Sequence, residues 1–262
     1  MKKLGLALGS GGARGVAHIG LLQALEESGI TPSYIAGSSM GSVVGACYAM
    51  GMRPKEMLNE VLKIQAKDVV DFNPSTLKAG SFLSSKKMHA TLSRYMGGVN
   101  FEDLHLPFRC VGVDVISGKE VVFSQGDLTT AVQASSSIPL FFQPVDYDDM
   151  LVCDGGVLCR VPIKTVRQMG AQVVIGFDVL GPLREIDELN GVLGYILRLI
   201  DIYDCEITQH HRDENPADLF LAPNLGDMSP YRINTEKIKF AYIQGYKTAK
   251  AHMDEIITLL KD

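Results

Sequence analysis

Twice within the first 50 residues a short apolar run ends in a glycine turn and gives way to a helical pattern. Lys3 to Leu8 reads as a buried strand closed by the glycine cluster Gly9 to Gly15. "VAHIGLLQALEESGI" follows, with Ile19, Leu22 and Leu25 at helical spacing and Gly29 as a stop. "SYIAG" is a second strand, followed by a tight turn at Ser39 and a helix from about Gly41 to Met50. Strand, turn, helix, repeated, is the opening of a parallel sheet built from βαβ units, which confines the chain to the α/β class.

The remainder extends the pattern. Residues of about 54 to 105 are more polar and helical, with "PKEMLNEVLKI" and "SKKMHATLSRYM" as amphipathic helices, and are expected to form an insertion or cap. "FRCVGVDV" and "KEVVFS" read as strands joined by a hairpin-like "ISG", and "LTTAVQASSS" as a helix stopped at Ile138-Pro139. "MLVCDGG" is a strand ending in a glycine turn, "PIKTVRQMG" a helix, and "AQVVIGFDV" a strand of the sheet interior. "GVLGYILRLIDIYDCEI" is a helix, "ADLFLAP" a late strand, and a long closing helix is expected from about Asn234 to Leu260.

No internal repeat, low-complexity linker or composition shift interrupts the 262 residues, so residues 1–262 are expected to form a single domain. The formal charge of −5 supplies no basic field for nucleic acid and none for a purely electrostatic membrane association; lipid contact would be local and apolar. Five cysteines, odd in number and scattered without a Cys-x-x-Cys pair, point to neither a disulfide framework nor a zinc site; reduced, buried thiols are expected. The N-terminal apolar run breaks at Gly9, short of the roughly 7–15 residues of a signal h-region, and nothing approaches the ~20 apolar residues of a membrane span. A cytoplasmic protein is expected, with at most transient membrane association.

Gly37, Ser39 and Gly41 form Gly-x-Ser-x-Gly between a strand and a helix. Such a turn holds its serine in a strained conformation that only small neighbours permit and points the hydroxyl out of the sheet. The following helix directs N-terminal amides at the site. A nucleophilic serine needs a base, and the histidines serve poorly. His252 lies in a helical pattern on a solvated face, His18 and His89 lie in helices, and His210 and His211 fall in a polar turn, "TQHHRDENP". Only one strand precedes the elbow strand, whereas in α/β-hydrolases several do. The better partner is Asp154, where an apolar strand meets Gly-Gly and the backbone could approach closely. Apolar neighbours such as Leu151, Val152, Val157 and Leu158 would raise its pKa by desolvation and suit it to the task.

"GSGGARG", Gly9 to Gly15, lacks the Gly-Lys-Ser/Thr of a phosphate loop, and Ser10 stands where a dinucleotide fingerprint needs glycine. It serves better as an oxyanion hole, with Gly11, Gly12 and Ala13 as N–H donors and Arg14 as an added cation or an anchor for the loop.

Gly-Gly-x-Arg at Gly11 to Arg14, Gly-x-Ser-x-Gly at Ser39 and Asp-Gly-Gly at Asp154, in that order, resemble the three signatures of the patatin-like phospholipase family in its compact bacterial form. "AVQASSSIPLFFQPV" and "GVDVISGKEVVFSQGDL" also resemble segments of that family, so the likeness runs from about residue 4 to 180. The resemblance implies a three-layer sandwich with a largely parallel central sheet. It also implies a Ser–Asp acyl hydrolase of lipid esters that uses no histidine, metal or cofactor, with Ser39 as nucleophile, Asp154 as base and the Gly11–Gly12 loop with Arg14 as oxyanion hole. The chain departs from the pattern at Ser10, where glycine is common, at Ser38, where threonine is frequent, and at Cys159-Arg160, where small polar residues follow Asp-Gly-Gly.

Phe141 and Phe142, between prolines, are candidates for an acyl pocket or for plain core packing, and Met50, Met52 and Met57 for adaptable packing. Leu193, Ile196, Leu197 and Ile200 form a helical stripe that faces the core or serves as a lid, a lipid-contacting surface or a homodimer contact. Two other functions share these residues: an acyltransferase or thioesterase on the same serine, and a catalytically weak lipid-binding regulatory protein.

Overall fold

The computed structural model describes the chain apart from residues 70–80, 184, 187, 189, 190, 231–233 and 262. The first half holds β1 (Leu4–Leu8), a 3-10 turn (Gly12–Val16), α1 (Ala17–Glu27), β2 (Tyr34–Ser38), α2 (Met40–Ala49), α3 (Pro54–Val61), α4 (Ala66–Val69), β3 (Ser81–Leu83), α5 (Lys86–Met96), β4 (Phe108–Asp114), β5 (Lys119–Phe123) and α6 (Leu128–Ser135). The second holds β6 (Leu140–Phe142), β7 (Val145–Tyr147), β8 (Met150–Asp154), α7 (Ile163–Gln168), β9 (Val173–Phe177), α8 (Gly191–Glu214), β10 (Leu219–Leu221), α9 (Thr235–Ala251) and α10 (Met253–Leu260).

Eight strands form one mixed sheet in which β10, β9, β1, β2 and β4 run parallel, β5 and β8 pair antiparallel with β4, and β7 pairs antiparallel with β8. Both faces are apolar, as the continuous runs of β1 and β9 require. Leu4, Leu6 and Leu8 of β1 join the larger core with Leu21, Leu22 and Leu25 of α1. Ala7, with Ala36 and Val174, faces Ile163 and Val166 of α7 on the other side. Helices on both faces make three layers.

Strand β4 determines where the site lies. Its residues Cys110 to Asp114 pair with β5 along one edge. The opposite edge is shared: β2 occupies the first part, ending with Ser38 opposite Val111, and β8 the second, ending with Asp154 opposite Gly112. Because β2 runs parallel to β4 and β8 antiparallel, the two strands finish head to head at adjacent residues of one edge. The Gly-Gly turn is needed there, since a Cβ on Gly155 would fall 2.3 Å from the Val111 carbonyl oxygen.

The structure departs from the sequence reading in several places. The closing helix is broken at His252, whose amide turns back to Ala249 and Lys250 and whose ring Nδ1–H donates to Thr248 O at 2.9 Å; the spiral tightens there and restarts as α10. His210 and His211 lie in the last turns of α8 rather than in a loop, because α8 continues to Glu214, where the Arg212 guanidinium covers the Phe220 ring at 3.9 Å. The segment between α6 and β8 carries two further short strands, of which β6 pairs with β3 from the region expected as a cap. The five cysteines are free as expected, but only Cys110, Cys153 and Cys159 are buried, whereas Cys47 and Cys205 are half-buried.

Helices α1 and α9 pack backbone to backbone: a Cβ on Gly245 would lie 2.0 Å from the Ala17 carbonyl oxygen, and one on Gly20 would lie 2.2 Å from that of Tyr242. In an open helix Gly→Ala stabilises by about 1 kcal/mol. Here Gly245→Ala is expected to destabilise by about 1–3 kcal/mol, read from the urea midpoint, since neither backbone can yield cheaply; a stabilised variant would contradict the packing.

Candidate active site

Ser39 sits between β2 and α2 at φ 51°, ψ −123°, a left-handed conformation that costs a non-glycine residue about 1–3 kcal/mol. The motif glycines make this turn possible. A Cβ on Gly37 would lie 2.4 Å from Gly41 O, and one on Gly41 would lie 2.1 Å from Leu8 O, so the turn closes directly against the end of β1. The Ser39 amide donates to Ser135 Oγ at 3.1 Å, and Ser42 Oγ–H donates to the Ser39 carbonyl at 2.6 Å. Main chain on both sides of the hydroxyl is thereby fixed.

The Ser39 hydroxyl donates to Asp154 Oδ2 at 2.5 Å. The other oxygen, Oδ1, accepts the Gly156 amide at 2.7 Å, which orients the carboxylate. Both side chains are buried. Burial pushes the Asp154 carboxyl up to about 7, and the hydrogen bonds from Ser39 and Gly156 offset only part of this. No imidazole is hydrogen-bonded to either residue among the described residues. His18 instead donates from Nε2–H to Gly9 O at 2.8 Å, His89 from Nδ1–H to Gln133 Oε1 at 2.6 Å, and burial lowers the His18 pKa to about 4, which keeps that ring neutral.

The glycine loop lies beside the serine with its ends tied. The Gly9 amide donates to Phe177 O, that of Ser10 to Arg160 O, that of Ala13 to Pro230 O at 2.8 Å and that of Arg14 to Gly11 O. Ala13 is therefore committed and not an open donor, contrary to its expected part. The Gly11 and Gly12 amides have no partner among the described residues. Gly12 takes φ 51°, and a Cβ there would lie 2.3 Å from Pro230 O, so glycine is required. The Arg14 side chain acts as an anchor, donating from Nε to Met228 O at 2.6 Å and from Nη1 to Leu180 O at 3.0 Å.

Ser39 and Gly12 stand in the wall of a cavity of about 460 Å³, within the usual range for ligand sites. Phe141 and Phe142 line it, as does Met57 of α3 with Leu92 and Tyr95 of α5, so the helices of the expected cap supply much of its apolar wall. Met52 lines it too, together with Val43 and Cys47 of α2, which the sequence did not single out; only the shared helical faces hinted at them. Ser135 and the loop holders Met228 and Pro230 were also missed, and of these only the serine run after α6 carried a signal. Of the expected α8 stripe, Ile196 and Ile200 are exposed and Leu197 is half-buried, while the Leu193 side chain lies outside the described residues; Val192, Tyr195 and Tyr203 of the same helix are also exposed. No helix among the described residues is long and apolar enough to cross a membrane.

Fold and site together define an α/β protein with an elbow serine facing a buried carboxylate. The patatin-like phospholipase family model matches residues 6–167. An uncharacterized NTE family protein of Mycobacterium bovis is 35% identical over 189 residues, covering 71% of this chain and 52% of the relative. The human patatin-like phospholipase domain-containing protein 6 is 33% identical over 181 residues, covering 67% of this chain and 13% of the relative. The chain therefore belongs to the patatin-like phospholipase family, and it spans about half the length, or much less, of these relatives. Among solved structures, VipD from Legionella pneumophila has the same fold with a TM-score of 0.58 at 15% identity, covering 97% of this chain and 67% of that one.

The buried carboxylate has a consequence for stability. With a folded pKa of about 7 against an ordinary 3.8, the native state binds the extra proton between those values, so this group's contribution is full at low pH and is lost as pH rises through 7. The difference is on the order of 4 kcal/mol. Asp154→Asn is expected to be more stable than wild type at pH 8, with the gap closing toward pH 4, as read by urea unfolding at both pH values. A gap that does not change with pH would place the carboxylate in water.

Proposed function

We propose that the chain is a serine hydrolase that cleaves fatty-acyl esters of phospholipids or lysophospholipids through Ser39 and Asp154. The observation that carries this reading is the 2.5 Å hydrogen bond from Ser39 Oγ to a buried carboxylate at the wall of an apolar cavity. A fungal relative named lysophospholipase, from Meyerozyma guilliermondii, 29% identical over 180 residues, supports the substrate class.

In the first step Ser39 Oγ attacks the ester carbonyl carbon while Asp154 Oδ2 takes its proton. The carbonyl oxygen gains the negative charge and receives the Gly11 and Gly12 amides, each worth about 2.7–4 kcal/mol in such a role. Collapse of the adduct breaks the carbon–oxygen bond to the alcohol, which leaves with the proton from Asp154, and the acyl group stays on Ser39. Water then attacks, giving a proton to Asp154, and Ser39 departs with it as the fatty acid forms. A carboxyl near 7 suits both directions of transfer at neutral pH. The acyl chain occupies the cavity beneath α3 and α5, where burying each CH₂ is worth about 0.8 kcal/mol. The exposed apolar stripe of α8 supports peripheral lipid contact.

Wild type is expected to react with a fluorophosphonate and to release fatty acid from lysophospholipid vesicles, whereas Ser39→Ala does neither, with turnover reduced about a thousandfold or more. Labelling that survives in Ser39→Ala would remove the nucleophile. The base must be ionised to act, so kcat/KM is expected to fall about tenfold per pH unit below about 7; a profile flat to pH 5 would exclude Asp154 as the base. Val43→Phe fills part of the cavity, and with a series of p-nitrophenyl esters the preferred acyl length should shorten while the butyrate rate holds. An unchanged length profile would place the chain elsewhere.

A further inference from the structure

Behind the Asp-Gly-Gly turn lies a buried charge cluster whose part in the chemistry above is limited to Asp204, which adds to the upward shift of the Asp154 carboxyl. Arg160, six positions after Asp154, is 3% exposed. Its Nε and Nη2 donate to the two carboxylate oxygens of Asp178, just beyond β9, at 2.9 and 2.5 Å. Nη2 also meets Gly181 O at 2.5 Å, and Nη1 reaches Asp204 of α8 at 3.0 Å. Burial works against the guanidinium's charge, but Asp178 and Asp204 outweigh it and hold the group firmly protonated. An ion pair removed from water in this way adds little stability, because desolvation cancels most of the attraction. Its geometry is the more informative property.

The same residues grip the glycine loop. The Arg160 carbonyl accepts the Ser10 amide at 2.9 Å. Asp178 Oδ1, besides meeting Arg160, accepts the Leu180 amide at 3.0 Å, and the Leu180 carbonyl accepts Arg14 Nη1. Between them Val179 packs on the loop so closely that a Cβ on Gly11 would lie 2.3 Å from Val179 Cγ2. The segment that carries Asp154 therefore also holds the loop whose Gly11 and Gly12 amides are open, and it does so through one fork shared with α8.

We infer that Arg160 is a positioning residue for the oxyanion loop. Locked by Asp178 and Asp204, it holds the carbonyl under Ser10 and the turn under Gly11, and it makes the aim of the Gly11 and Gly12 amides depend on helix α8 being docked. The inference rests on the hydrolase reading. Among the described residues the guanidinium makes no hydrogen bond to Ser39 or Asp154, so it acts through the loop. Lysine keeps the charge but lacks the planar fork and cannot hold both carboxylates and Gly181 O together.

The test is steady-state kinetics on a p-nitrophenyl ester for wild type, Arg160→Lys, Asp204→Asn and the double variant, at a temperature where circular dichroism shows each folded. Arg167→Lys, altered at the separate Arg167–Asp218 pair, is the control. Because a misaimed oxyanion hole weakens only the transition state, Arg160→Lys should lose about 100-fold in kcat with KM within about threefold. Asp204→Asn should lose about tenfold, the double variant no more than Arg160→Lys alone, and Arg167→Lys less than twofold. Folded Arg160→Lys with kcat within about twofold of wild type overturns the inference, as do losses that multiply in the double variant. Should Arg160→Lys not fold, Asp204→Asn decides alone: unchanged kcat overturns the link to α8 and with it the inference. A wild type without turnover removes the hydrolase reading itself, a separate result.

Discussion

One edge of β4 is divided between two strands that approach from opposite directions, and the remainder of the site depends on that division. β2 must stop at Ser38 because β8 begins to occupy the same edge one residue further along. Two side chains 115 positions apart are thereby set tip to tip in the sheet interior, where water cannot separate them. Burial makes the carboxylate costly as an anion and so raises its proton affinity toward that required of a base at neutral pH. The cost is met by a large apolar framework on both faces of the sheet.

The loop after β1 is a second rigid body set against the first. Three of its amides and the Gly9 carbonyl are tied to the surrounding chain, the Arg14 amide closes back on Gly11 within the loop, and the two left open are those of Gly11 and of Gly12, which lines the cavity. Open donors held still are effective partners for a developing oxyanion, because no reorganisation is needed at the moment of reaction. The helices inserted after α2 then close an apolar space beside the serine. Fold and chemistry are thus connected by a short list of backbone contacts at Gly37, Gly41 and Gly155, each too tight for any side chain.

Much of this was legible in the sequence, for local reasons. Apolar runs ended by glycine gave β1, β2 and β8, a continuous apolar run gave β9, and the three glycine motifs marked the positions where backbones must approach. The likeness between those motifs and a known family supplied the pairing of Ser39 with Asp154; the residues alone left it as the better of several options. What the sequence did not disclose depends on distant partners. Nothing local to "MLVCD" says that β8 runs antiparallel on an edge already used by β2. The helical pattern around Met57 and Leu92 gives an apolar face but not the empty space it borders. Arg160 looked like a departure from pattern, and only the fold brings Asp178 and Asp204 to it. His252 interrupts a helix without a glycine or proline to announce it.

The central claim is that burial, rather than a neighbouring imidazole, gives Asp154 its basicity. The most direct measurement is a carbon-13 titration of the Asp154 carboxyl in the resting protein, assigned by its loss in Asp154→Asn. The account predicts a midpoint near 7 that moves higher in Ser39→Ala, where the stabilising hydroxyl is gone. A midpoint near the ordinary 3.8, or one that falls when the hydroxyl is removed, would contradict it.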